Sequence, residues 1–196
     1  MRWRAALRLC VVLATASATW LPMFPALVVA ATNANERAGQ LDELFAKLKA
    51  AKSDTEAEPV VARIWSVWNL SGSDEIDELM RQALVFMSLG AFGPGLEVLD
   101  AVVQKAPEYA EGWNRRATLL FVVGQYDRSL KDCEEVLRRE PRHFGALGGM
   151  AMIALSQGRH SAALDAYRRA LKVNPFLKER QGLIPALERK VEGQPL

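Results

Sequence analysis

Three prolines, Pro107, Pro141 and Pro175, stand 34 residues apart, and the chain between them repeats in step. Gly90, Gly124 and Gly158 keep the same frame, as do the ring residues Phe92, Tyr126 and His160. So do Leu96, Leu130 and Leu164, and, four residues before each proline, Val103, Leu137 and Leu171. A fixed period of this length is the mark of a helix-hairpin array. One hairpin cannot bury its apolar face alone, so neighbours stack and the chain grows as a solenoid. The repeat thus points to an all-α fold and to one class of function, the binding of protein, and leaves the partner unnamed.

A chain of 196 residues holds one short solenoid of this kind. Half of its residues are hydrophobic, with 13 Gly and 9 Pro, which argues against disorder and low complexity. The formal net charge of +2 misleads, because Arg2, Arg4 and Arg8 lie in the first 30 residues and every acidic residue follows position 35. Without those three arginines the 25 basic residues fall to 22 against 23 acidic ones, a net of −1. Such a body offers no electrostatic reason to bind nucleic acid or an acidic membrane.

Residues 1–30 read as a targeting segment. The three arginines form a basic start, Leu9 to Trp20 an apolar stretch, and Val28-Val29-Ala30 a small-residue cleavage site before Ala31. Pro22 and Pro25 would interrupt a membrane helix, which favours a cleaved signal peptide. A retained inner-membrane anchor and an organelle transit peptide are the alternatives. Cys10 follows Arg8 and Leu9, not the small residues that precede a lipidated cysteine. Cleavage would leave Cys133 alone, with no internal disulfide. Cys133 shares its frame position with Leu99 and Tyr167, so a buried apolar role is expected rather than a reactive thiol.

Residues 31–75 form a degenerate helical hairpin in this reading. Asn33 and Glu36 have capping-box spacing, and Leu41, Leu44, Phe45 and Leu48 give an amphipathic stripe. A second helix carries Val61, Ile64, Trp65 and Trp68 and ends at Ser71-Gly72. Ser53 and Glu56 could cap it, but Pro59 would then lie deep inside. The hairpin is expected to cover the N-terminal end of the array. Ser73 opens the next helix, with Asp74, Glu75, Asp77 and Glu78 in its first turn. Hairpins over 76–109, 110–143 and 144–177 follow. Residues 178–196 supply a capping helix and tail, with Leu177, Ile184, Leu187 and Val191 on one side and Gly182 and Pro185 expected to split or kink it.

In the second hairpin Trp113, Ala117, Gly124, Tyr126 and Pro141 resemble the tetratricopeptide repeat pattern. The third is similar through Leu147, Ala151, Gly158, Ala163, Tyr167, Ala170 and Pro175. The first keeps Ala83, Gly90, Phe92, Gly95 and Pro107, with Gly93-Pro94-Gly95 where its second helix should start. The resemblance implies a right-handed solenoid of three such repeats and a small exported bacterial protein. Ala83, Ala117 and Ala151 are small where the two helices of a hairpin cross, and Gly95, Ser129 and Ala163 at the reciprocal point.

The resemblance also implies that the first helices of successive hairpins line a concave groove. The frame carries Asp77, Met80, Leu84, Met87 and Ser88 there, then Glu111, Asn114, Thr118, Phe121 and Val122, then Gly145, Gly148, Met152, Leu155 and Ser156. Met80, Leu84, Met87, Asn114, Thr118, Phe121, Met152 and Leu155 are the expected binding residues, of which Phe121 and Met152 have no assigned packing duty. The co-chaperone branch of the family grips a C-terminal carboxylate with Lys, Asn and Arg. At those places this chain has Met80 and Leu84, then Arg115, then Gly145 and Gly149, which disfavours that mode. Two readings of the groove stand. It takes an apolar peptide or helix of a partner, or the chain covers it itself, by its own terminal segment, a tight superhelical turn or self-association.

His160 is read as a structural ring, and His143 at a hairpin junction as exposed; neither has ligands at metal spacing. Arg138-Arg139-Glu140 and Arg142 read as a solvated face. Gly145, Gly148 and Gly149 lack the strand-to-helix context of a phosphate loop, and no triad or paired-carboxylate motif occurs. No catalytic residue, metal or cofactor is expected. The expected function is a non-enzymatic interaction module in the periplasm of a Gram-negative bacterium, concerned by analogy with cell-envelope assembly. A membrane-anchored assembly factor and a self-associating scaffold are the alternatives. Nucleic acid is not an expected partner, and a membrane is one only if the N-terminal segment is retained.

Overall fold

Gly90, Gly124 and Gly158 adopt φ of +70°, +77° and +69°. At each of them the chain ends one helix and reverses into the next, a left-handed conformation that side chains other than glycine rarely take. The helices so paired are α3 (Asp74–Ser88) with α4 (Phe92–Lys105), α5 (Ala110–Val122) with α6 (Tyr126–Arg139), and α7 (Phe144–Ser156) with α8 (His160–Val173). Two further helices precede them, α1 (Pro25–Ala50) and α2 (Asp54–Asn69), and α9 (Lys178–Val191) follows. This computed structural model describes residues 25–193, with side chains except those of 25–34, 179 and 180. Residues 1–24 of the expected targeting segment lie outside the described residues. Every element among the described residues is a helix, and none is long and apolar enough to cross a membrane.

The small residues of the repeat sit at close approaches. A Cβ on Gly95 would lie 3.0 Å from Leu119 Cδ2 and 3.5 Å from Phe86 Cβ. Ser129 donates through Oγ to the Ala117 carbonyl at 2.7 Å, and Ala151 and Ala163 have no exposed surface. Gly93-Pro94-Gly95 does not delay α4, which starts at Phe92. Pro94 falls in the first turn, where backbone N–H groups have no intrahelical acceptor, so its missing donor is not felt.

Hydrophobic cores cross the boundaries between hairpins. Leu99 and Val102 of the first pack with Leu119 of the second, and Cys133 and Val136 of the second with Ala146 and Ile153 of the third. Burial, with Asp132 and Glu134 adding to it, pushes the Cys133 thiol up to about 12, so it stays protonated and inert at neutral pH. A polar stitch parallels these cores. The guanidinium groups of Arg116 and Arg139 each lie 4.9 Å from the Trp113 ring. Arg116 also donates to both carboxylate oxygens of Asp132, at 2.8 and 2.9 Å, and to Asp100 at 2.8 Å. The Arg139 and Glu140 side chains are largely buried, which corrects the reading of Arg138-Arg139-Glu140 and Arg142 as a solvated face; of those four charged residues only Arg138 is largely exposed.

At the C-terminal end α9 lies on α8, where the first helix of a further hairpin would pack. Leu187 is buried beside Tyr167 and Leu164, and Arg168 pairs with Glu188 at 2.6 Å. The helix is assigned as one piece through Gly182 and Pro185, and Val191 is exposed rather than on the buried side.

The N-terminal hairpin differs from expectation in three ways. Helix α1 runs through Asn33, so that residue starts nothing. Helix α2 does begin at the Ser53 cap, whose hydroxyl accepts from the Glu56 amide at 3.3 Å, and it holds Pro59 inside. The carbonyl that Pro59 leaves without an intrahelical donor belongs to Thr55, an exposed residue, so the missing bond does not bury a polar group. Finally, the hairpin does not cover the α3 end of the array. Leu41, Leu44, Leu48, Ile64 and Trp68 close instead on Phe144, Val173, Phe176 and Leu177, at the junctions far along the array.

Candidate protein-binding groove

The concave positions lie on α3, α5 and α7 and divide into two halves along those helices. Near the helix starts, the half is filled by the chain's own α2. A Cβ at Gly145 would lie 2.7 Å from the Trp65 ring, so only glycine fits there. Trp68 stacks on the His143 ring with centroids 4.1 Å apart and planes at 17°, while Trp65 meets the same imidazole edge-on at 5.5 Å. The column of the repeat that places His143 also places Tyr109 and Leu177, and all three turn toward the N-terminal hairpin.

A polar joint lies beneath these rings. His143 is fully buried, correcting the expectation that it is exposed. Its Nδ1 accepts from the Ala146 amide at 3.1 Å and caps α7, which leaves the proton on Nε2, 3.2 Å from Glu111 Oε2. Glu111 also accepts from Asn114 Nδ2 at 2.9 Å. Arg115 Nε stands 2.7 Å from Glu111 Oε1, a charge contact whose N–H is not aimed at the oxygen. Arg115 reaches Asn69 Oδ1 at 3.2 Å, and Tyr109 donates its hydroxyl to the Asn69 carbonyl at 2.7 Å. Burial, then the nearby carboxylates of Glu111 and Asp77, push the Tyr109 phenol above its ordinary value, so it remains a donor. The one cation at a carboxylate-gripping position, Arg115, is thus already engaged.

The half toward the helix ends is open. Leu84 is 43% exposed, Val122 52% and Met152 46%, and Thr118 lies among them at the frame position shared with Leu84 and Met152. The eight expected binding residues are distributed unevenly over the two halves. Met80 is buried in the first hairpin core, and Asn114 belongs to the polar joint. Met87, Phe121 and Leu155 are partly buried within the hairpins; the Phe121 ring lies 5.4 Å from Tyr126, so it has a packing duty after all. Leu84, Thr118 and Met152 face outward. Sequence reasoning missed the roles of Trp65, Trp68, Asn69, Tyr109 and His143, and it carried Glu111 to the groove without counting it among the binding residues. The available signal was two tryptophans in a hairpin outside the repeat together with ring residues in the junction column.

No group of three or more acidic, histidine or cysteine side chains placed to hold a metal ion occurs among the described residues. Residues 114–177 match the model of the tetratricopeptide repeat family. A TPR repeat-containing protein of Rhizobium etli is 39% identical over 168 residues, 85% of this chain and 82% of its own length. The chain belongs to the tetratricopeptide repeat family. Solved structures agree in fold. The TPR2B domain of yeast Sti1, in a pHsp70 complex, superposes with a TM-score of 0.56 at 16% identity over 60% of this chain and 99% of its own. The Yersinia enterocolitica type III secretion chaperone SycD, in complex with a peptide of the translocator YopD, gives 0.58 at 14% identity, over 60% and 95%.

Proposed function

We propose that this tetratricopeptide repeat protein is a non-enzymatic interaction module that holds an apolar peptide or helix of a partner protein on the open half of its concave face. The carrying observation is the exposed row Leu84, Thr118 and Met152, one residue from each of three successive hairpins, with Val122 beside it. A thioether and branched aliphatic chains suit an adaptable apolar contact. Two structural relatives whose solved forms carry peptide or Hsp70 partners support the class of function. Because α2 fills the other half, the bound segment is short, and because Arg115 is engaged, it is not gripped by a terminal carboxylate.

The test is capture of partners from the native host by the wild-type chain and by Leu84→Glu and Met152→Glu, with thermal melting of each. Both positions are exposed, so melting should hold while partner retention drops about tenfold or more. Normal melting with normal capture would remove the groove from consideration.

The same reading places the protein in the periplasm and concerned with envelope assembly. The location rests on the order of basic, apolar and small residues before Ala31, and the envelope role on analogy with small exported proteins of the family. Intact mass of protein from the native host should show a chain beginning near Ala31; a chain keeping Met1 leaves only the anchored alternative.

A further inference from the structure

We propose that the half of the groove near the helix starts is a binding site in its own right, for an amphipathic helix with two aromatic side chains three positions apart. In the free protein α2 holds this site as a displaceable stand-in. The proposal shares with the reading above only that the concave face binds protein, and it concerns the other half. The seat is shaped for the end of a helix. Gly145 leaves a slot that takes the Trp65 ring and would admit no side chain of its own. The His143 imidazole, held by the Ala146 amide and Glu111, is a flat platform for Trp68. Beyond the rings, Tyr109 and Arg115 aim donors at Asn69, the last residue of α2, where helix carbonyls lack intrahelical donors.

The fit of α2 to this seat is incomplete. Among the described residues, the buried side-chain polar atoms without a hydrogen-bond partner are Trp68 Nε1, Glu111 Oε1 and Arg115 Nε, and all three belong to this joint. A helix that meets Glu111 Oε1 with a donor, or Arg115 Nε with an acceptor, satisfies what α2 leaves unmet and holds the seat better. The other ties of the N-terminal hairpin are replaceable. Its apolar contacts with Phe144, Phe176 and Leu177 are of a kind that any apolar helix face supplies. The ion pairs Asp42–Arg142 and Asp54–Lys178 are largely exposed, and exposed pairs contribute little. A pivot is at hand as well. Ser71 is fixed to Asp77 through both its amide and its hydroxyl, and Leu70, just before it, is exposed and lies outside either helix.

The probe that tests this is a fluorescein-labelled peptide of residues 54–69, titrated against the whole chain and followed by anisotropy. An intrachain competitor lowers apparent affinity by the fraction of molecules in which the seat is free. Trp65→Ala/Trp68→Ala weakens that competitor, so the peptide should bind this variant about tenfold or more tightly than the wild type. Trp65→Leu, which keeps an apolar residue and spares the rest of the joint, should act in the same direction by about threefold. A peptide with both tryptophans replaced by alanine should bind none of the three chains. Equal affinity for wild type and variants would overturn the proposal. So would a failure of the native peptide to bind either variant, or binding of the tryptophan-free peptide as tight as that of the native one. Partner capture lost in Met152→Glu reports on the open half, so the two readings stand or fall separately.

Discussion

The array and the N-terminal hairpin are both paired helices with apolar faces, yet they are held by different means. In the array every hairpin repeats its neighbour's contacts: an alanine or glycine at the crossing, a glycine at the turn, and a core shared with the next hairpin. Stability there is a sum of similar local terms, each tied to a fixed place in the frame. The N-terminal hairpin shares none of that periodicity. It is fixed by one aromatic joint, Trp65 and Trp68 around His143 and Phe144, and by scattered polar contacts from Asn69 to Tyr109 and Arg115. Ion pairs between Asp42 and Arg142 and between Asp54 and Lys178, both 2.6 Å, flank the joint on the exposed side. The lesson is that the same repeat serves two ends. It builds the rod by packing, and its junction column provides a docking strip for a non-repeat segment.

That contrast breaks most directly at Trp68. Trp68→Ala removes the stack on His143 and should cost about 3–5 kcal/mol. The loss should fall on α1 and α2: amide exchange there should accelerate strongly while α5 to α8 keep their protection. Uniform acceleration along the chain would mean that hairpin and array form one cooperative unit, and the distinction drawn between them would fail. A smaller effect sharpens the array side. Ala163→Leu overfills the crossing with Ala151, both without exposed surface, and should cost about 1–3 kcal/mol. An unchanged melting temperature in that variant would show that the third hairpin does not depend on this close approach.

The legible parts of the molecule were those where one local cause repeats. Turn glycines, crossing alanines and the apolar role of Cys133 follow from steric rules applied at a fixed period. The site was legible only in outline. The frame carried Leu84, Thr118 and Met152 to an open face, but the same frame carried Met80 into a core and Asn114 into a buried network. Spacing states which side of a helix a residue occupies and is silent on what a distant segment lays over that side. His143 shows the limit. A histidine at a hairpin junction beside a run of charged residues reads as solvated, and its burial is due to two tryptophans about 75 residues earlier, beyond any local pattern.

By itself, then, the sequence determined the solenoid: its helix count per repeat, its turns and its crossings, because these depend on residues three, four or 34 positions apart. Only the tertiary structure decided where the N-terminal hairpin lies. Two faces were open to it, the bare outer side of α3 and the strip of junctions beside the groove. Indole rings fit flat against His143 and over Gly145, where no side chain stands in the way, and Asn69 meets donors from Tyr109 and Arg115. The α3 face offers Val85 and Leu89 without such polar partners. Shape and hydrogen-bond satisfaction across the junctions outweigh apolar area alone, and that balance leaves half of the groove filled and one end of the array uncovered.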